Sequence, residues 1–442
     1  MMPSINPGTE VLIEPVEATP QTGDILLINH PDGFFAHRLV QPPDRGPGGK
    51  MLTRGDACPH NDPPLRTGQA IGMVRTSNHI SPKQFLIRLL QQELDATGEP
   101  GGIAVLIRKG NPGDRFWEIL YSISHAEGLE IFTHNQLREL GLSDRVPLHV
   151  ATWAEQRYVL HLVKTARILE AYHILSTTFS GEGIVFVPLK GTALCLGTDI
   201  RPVGRPFNDM DVLVRRDQVS RCVNLAEQLG YRQDPYRSCR GLEPAMLLQH
   251  HLPPFRKGHL VLELHYDLLP GGSARFTDSF LFSAHRVAGS GLLPDPYYHA
   301  VFLAAHLEKH ALEGQFQYRL LRDLAQILGH EEEKWSEARH LADDFGLGGS
   351  MMKARICFDS LYSHGLPPNI TGIYHLTVKQ PMTLLVTELG RLKGMRLKML
   401  WLMDYLFPST EYIRRFYPGR HGAVTAAYHL NRLMRGIRKT LF

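Results

Sequence analysis

Two aspartates one residue apart, Asp209 and Asp211, lie in the stretch "RPFNDMDVLV" directly ahead of an aliphatic run. In a strand, residues i and i+2 share a face, so the two carboxylates project together and Met210 turns into the core. Carboxylates held that close repel each other unless a cation sits between them. Mg²⁺ is the natural choice, since it takes hard oxygen ligands and bridges one or two carboxylates to substrate phosphates. A third acid on a neighbouring strand would complete a two-metal site that stabilises both attacking and leaving oxygens. "HLVLELHYDL" supplies one. Leu260, Leu262 and Leu264 alternate with Val261, Glu263 and His265, so Glu263 and His265 share the face opposite the leucines. The competing readings are a turn with a surface strand for Asp209 and Asp211, and a structural ion pair for Glu263.

These residues need elements to position them. "IVFVPLKGTAL" reads as a strand, then Lys190-Gly191, then a helix. Backbone amides around Gly191 would meet a phosphate at the helix N-terminus, with Lys190 adding its charge; a solvated loop lysine is the alternative. "QVSRCVNLAEQLGY" reads as the helix that follows the aspartate strand. Histidines invite a metal reading as well: His306 and His310 in "HLEKH" are one helical turn apart. That is not the zincin pattern, which places Glu directly after the first His, and no third ligand is evident. A helix face lining a cleft accounts for the pair. His250 and His251 precede Pro253-Pro254 and could reach the same cleft. His265 could serve as base, phosphate contact or positioning partner of Glu263, or simply pack.

The ordered set resembles the DNA polymerase β-type nucleotidyltransferase superfamily. It is closest to a bacterial branch with "LKG", then an arginine ahead of D-x-D, then "ELH". Here these are Leu189-Lys190-Gly191, Arg205 with Asp209-Met210-Asp211, and Glu263-Leu264-His265. "QHHLPPF", "HLEKH", "RLLRDLAQIL" and "LFPSTEYIRRFY" also look typical of it, so the resemblance spans residues 115 to 442. It implies Asp209, Asp211 and Glu263 as ligands of a two-ion Mg²⁺ site. It implies Lys190, Gly191, Arg205 and His265 as nucleotide-binding residues, and an NTP as substrate. The acceptor would be a small molecule, peptide or protein.

Residues 1 to 76 read differently: short aliphatic runs between Gly and Pro, as in a small β domain. The series from "PSINPGTEVLIEPV" through "TGDILLINH", "FFAHRLV" and "KMLTRGDACPHNDPP" to "IGMV" resembles the signal-peptidase-like (LexA-like) serine peptidases. The resemblance puts His37 at the base position and Asp56 and Asp62 at the acids. The nucleophile does not match, because the alignment puts Met1 on the family's methionine and the serine before it, while Ser4 falls three positions after that methionine. Either the serine lies upstream or the module is a degenerate fold that binds something. A chain of two decayed enzyme folds holding a nucleotide or a leader peptide is the non-enzymatic alternative. The pairing of peptidase-like module and transferase suggests peptide or protein maturation, on analogy alone.

The fold expectation is therefore multidomain: a peptidase-like β module (1–76), a linker with one helix capped by Ser81 (77–114), a helical segment (115–175), a mixed-sheet α/β nucleotidyltransferase core (176–290) and a helical C-terminal domain (291–442). No apolar run approaches the roughly 20 residues of a membrane span. The five cysteines are scattered without CxxC spacing, which fits a reducing, cytoplasmic setting. Residues 391–442 carry eleven Lys/Arg against two acids, so this tail is +9 in a chain of net charge +4. Its last helix pattern either meets an anionic partner or docks by its apolar stripe.

Overall fold

A computed structural model describes residues 12–14, 20, 24–30, 33–42, 49–54, 60–66, 69–75, 82–94, 112–197, 204–236, 242, 246, 249–269, 274–287, 291–363, 368, 370–374, 390, 394–406 and 408–416. Asp56, Ser81 and the basic tail beyond residue 416 lie outside these. The chain divides into two compact units: Met1–Phe85 with Glu99–Leu120 and Leu140–Pro147, and Leu86–Gly98 with Tyr121–Glu139 and Leu148–Phe442.

The first unit carries six strands among its described residues: β1 (Leu12–Glu14), β2 (Ile25–His30), β3 (Gly33–Gln41), β4 (Lys50–Arg54), β5 (Leu65–Arg66) and β6 (Ala70–Arg75). They form an antiparallel sheet in the order β1-β6-β2-β3-β4-β5. Its core is small: Leu26, Ile28, Leu39, Met51 and Leu65. The alternation of apolar residues in "ILLINH" and "KMLTR" is what turns these side chains to one face.

The second unit is built on a mixed sheet of β7 (Phe186–Pro188), β8 (Met210–Val214), β9 (Arg232–Gln233), β10 (Phe255–Lys257) and β11 (Leu260–His265), in the order β7-β8-β11-β10-β9. Only the β8–β11 pair within it is parallel, with Asp211 opposite Glu263. Pro188 can end β7 because β7 is an edge strand, where a missing N–H costs no ladder bond. The longer helices among the described residues are α1 (Pro82–Leu94), α2 (Asp114–Ala126), α3 (Glu130–Glu139), α4 (Leu148–Gly181), α5 (Lys190–Gly197), α6 (Val219–Gln228), α7 (Ala274–Ser283), α8 (Pro296–Leu312), α9 (Tyr318–Leu328), α10 (Glu332–Asp344) and α11 (Gly348–Phe358). Further helices follow at Ile370–Ile373, Met395–Leu406 and Thr410–Phe416.

One face of the second sheet is apolar. Met210, Val212 and Val214 of β8, with Leu262 and Leu264 of β11, pack against Ile168, Ala171, Tyr172, Leu175 and Phe179 of α4 and Val219, Cys222 and Ala226 of α6. The α4 set falls at i, i+3, i+4, i+7 and i+11, a single helix stripe. The side chains in between, Asp211 on β8 and Glu263 and His265 on β11, therefore occupy the other face. The helix α8 starts cleanly: Asp295 caps it by accepting from the amides of Tyr297 and Tyr298, and Pro296 takes the first position. The sheet and helices agree with the expected mixed-sheet core flanked by helices. No helix among the described residues is long and apolar enough to cross a membrane.

Candidate active site

The β8–β11 register brings Asp211 and Glu263 side by side. Ligand atoms of Asp211, Glu263 and His265 all lie within 4.8 Å of one another. A cavity of about 290 Å³ opens on this trio, and Lys190, Gly191, Arg205, Asp209, His250, His251, His306, Lys309, His310 and Arg319 also line it. The ordered motifs thus converge on one cleft. Asp209 lines it too but stands outside the tight trio, because the strand begins at Met210 and Asp209 sits in the bend before it.

Charge is densely compensated here. Lys190 Nζ donates to Asp211 Oδ1 at 2.8 Å, and His265 Nε2 lies 3.0 Å from the same oxygen. Glu263 Oε2 is 3.7 Å from His265 Nε2. Burial alone would raise the Asp211 carboxyl; the Lys190 ammonium and the His265 hydrogen bond outweigh it and hold it well below the usual range. The same contacts raise Lys190 and His265, in each case against burial, which pulls the other way. Asp209 is opposite in sign: burial, then the Asp211 and Glu263 charges, push it up to about 6.

The Lys-Gly turn is held from the helical side. Lys190 has φ +48°, the left-handed region that a non-glycine residue adopts only where its surroundings insist. Its amide donates to His299 Nε2 on α8 at 3.2 Å. That amide is therefore engaged by the protein, and of the phosphate contacts read for this turn the Lys190 N–H is the one the fold has used. Gly191 is squeezed: a Cβ there would collide with Arg205 Nη1 and come within 2.8 Å of Phe207 Cβ.

Arg205 differs from the expectation of a residue free to neutralise a triphosphate. Its Nε and Nη2 donate to Asp323 of α9, at 2.8 and 2.7 Å, and both side chains are almost fully buried. Nη1 stands against the Gly191 turn, and the residue lines the cavity. Sequence reading missed Asp323 and His299. The signal was an Arg-Asp pair inside the otherwise apolar helix "RLLRDLAQIL": a charge buried among leucines needs a partner. Arg319 was missed likewise; it lines the cavity, and its charge, after that of Lys190, pulls Asp209 down against burial and the neighbouring acids.

The His306–His310 pair is formed, with Nε2 atoms 3.0 Å apart. It does not fall in the trio of clustered ligands, and burial holds His306 well below its normal pKa and His310 at about 4. The rings of His250, His251 and His265 also cluster, with centroids 4.6 to 5.7 Å apart. These imidazoles line the cleft, as read from the sequence.

In the first unit, His37 Nδ1 on β3 lies 2.7 Å from Asp62 Oδ2, and Thr53 Oγ1 on β4 donates to the same oxygen at 2.6 Å.

The mixed sheet thus brings register-paired acids to face a Lys-Gly turn across one cavity. Residues 114–363, more than half of the chain, match a protein family described as uncharacterised nucleotidyltransferases, and the chain belongs to that family. No curated protein sequence matches it. Among solved structures it is similar to the antibiotic-resistance factor ANT(2'')-Ia, at 13% identity over 46% of this chain and 95% of that one, with a TM-score of 0.24.

Proposed function

We propose that this protein is a Mg²⁺-dependent nucleotidyltransferase that moves a nucleotidyl group from an NTP to a small-molecule, peptide or protein acceptor. The observation that carries the reading is the pairing of Asp211 and Glu263 across parallel strands, with His265 beside them and Asp209 at the mouth. The donor set fits a divalent cation: hard carboxylate oxygens of Asp211 and Glu263 stand together, with Asp209 on the same cavity wall. Asp209, Asp211 and Glu263 would hold the two ions, whose chemistry is to neutralise the phosphates. Lys190, released from Asp211, pairs with the triphosphate. Arg319 and Arg205 add positive charge at the cavity wall. Glu263 takes the proton of the incoming hydroxyl while the hydroxyl oxygen bonds to the α-phosphorus. The bond from that phosphorus to the bridging oxygen breaks, and pyrophosphate leaves with the electron pair. Catalysis is then mostly positioning and charge compensation.

Calorimetric titration of Mg²⁺-ATP and Mg²⁺-CTP into the wild type and Asp209→Asn/Asp211→Asn tests this. Metal-dependent binding lost in the variant is expected. Equal binding by both proteins sinks the site.

A second reading concerns the β module. The His37 Nδ1–Asp62 hydrogen bond is the base–acid pairing that a Ser–His peptidase requires, and it supports the peptidase-like reading of this module. A serine-directed fluorophosphonate should label the native protein but not His37→Ala; an unlabelled native protein ends this reading.

A further inference from the structure

A larger depression lies on the α4 side of the sheet, away from the acidic trio. Its volume is about 720 Å³, within the range that encloses small organic ligands. Leu160, Val163 and Ile174 of α4 form one wall and remain 63%, 46% and 47% exposed. Tyr231 and Leu260, from the β9–β11 side, form the other. Neighbouring apolar side chains left open to water around a concave surface mark a contact site. The polar groups around it are mostly of one sign: Lys164, Arg167 and Lys257, with His259, against the single acid Glu170.

One contact ties this groove to the chemistry. Lys164 Nζ donates to Asn208 Oδ1 at 2.5 Å. Asn208 immediately precedes Asp209, and Leu260 stands three residues before Glu263 on β11. The groove therefore begins where the two strands that carry the acids begin.

We propose that this groove seats the acceptor of the transfer: a free small molecule with an apolar body and an anionic group. The apolar walls would take the body, and Lys164 and Arg167 the anion, which then lies at the end of the groove nearest Asp209. The volume sets the size, the basic rim sets the charge, and the Lys164–Asn208 contact sets the direction. The proposal rests on the nucleotidyl-transfer reading for its link to Asp209, and on the groove alone for binding.

Dodecanoate below its micellar concentration is the probe, with dodecyl phosphate, dodecanol and dodecyltrimethylammonium as comparators, titrated calorimetrically. Saturable one-site binding of both anions is expected, at least about tenfold tighter than the alcohol or the cation. Val163→Glu, or Leu160→Glu should Val163→Glu fold poorly by circular dichroism, should abolish it and leave Mg²⁺-ATP affinity unchanged. Lys164→Met/Arg167→Met should erase the preference for anions. Dodecanoate and Mg²⁺-ATP should bind together. Equal affinity for the cation, undiminished binding in Val163→Glu, mutual exclusion with Mg²⁺-ATP, or binding only to anionic lipid vesicles would each overturn the proposal. Intact dodecanoate binding in a protein that never binds Mg²⁺-ATP would instead overturn the nucleotidyl-transfer reading and leave the groove as a binding site.

Discussion

The ammonium of Lys190 lies 2.8 Å from Oδ1 of Asp211, on the carboxylate that the proposed reaction assigns to a metal. Both side chains are largely buried, so the attraction is poorly screened. The lysine acts as a resident counter-ion that must yield when a divalent cation arrives. Lys190→Met removes the competitor. Mn²⁺ affinity of the nucleotide-free protein, followed by electron paramagnetic resonance, should rise by about tenfold or more, roughly 1.4 kcal/mol. Turnover should fall, because the triphosphate loses its cation. Weaker Mn²⁺ binding in the variant would mean that Lys190 helps to build the site rather than competing in it.

The Gly191 turn offers a second test. A Cβ at this position meets the Arg205 guanidinium and the buried Phe207, and neither can retreat far. Gly191→Ala should cost about 1–3 kcal/mol, the range for forcing extra volume into a packed site. It should also weaken Mg²⁺-ATP binding, since Lys190 is the adjacent residue. Chemical denaturation and calorimetry on one preparation check both; an unchanged denaturation midpoint would refute the close contact.

Much of the site could be read from residue order. The D-x-D spacing, the alternation in "HLVLELHYDL" and the Lys-Gly step are local features with period 2 or a fixed offset, and they placed Asp211, Glu263, His265 and Lys190 in one cleft. What escaped was long-range. His299 and Asp323 lie 109 and 118 residues from their partners Lys190 and Arg205. No spacing rule joins such residues, and only folding α8 and α9 over the sheet does. Asp209 shows the other limit: a strand boundary shifted by one residue puts it in a bend instead of on the ladder. The sheet order, with β8 and β11 adjacent though β9 and β10 intervene in sequence, is likewise invisible to periodicity.

The Arg205–Asp323 pair is a third prediction. It is a buried fork of two parallel donors on one carboxylate. Breaking such a pair from one side strands a charge and costs about 3–5 kcal/mol. Asp323→Ala should therefore unfold at markedly lower denaturant. Arg205→Met/Asp323→Leu should recover most of that loss, because no buried charge is left. Arg205→Lys should not substitute, since an ammonium cannot make the bidentate bond. A double variant no more stable than Asp323→Ala would show that the pair adds packing, not charge balance.

The last prediction concerns acid. His299 accepts the Lys190 amide at Nε2, which requires a neutral ring; an imidazolium has no lone pair to offer. Burial agrees, holding His299 at about 4. An ordinary histidine in the unfolded chain titrates near 6.5. Between these values the unfolded state binds the extra proton, so stability is full above about 6.5 and falls as pH drops toward 4. The slope from one such group is about 1.4 kcal/mol per pH unit. His250 and His306, also held low by burial, add to it. His299→Gln keeps an oxygen that can accept the Lys190 amide yet takes up no proton. Denaturation midpoints at pH 7 and pH 5 should show the variant losing less stability across that interval than the wild type. Equal losses would mean that His299 is not protonated on unfolding, and that Nε2 is not what holds the Lys190 turn.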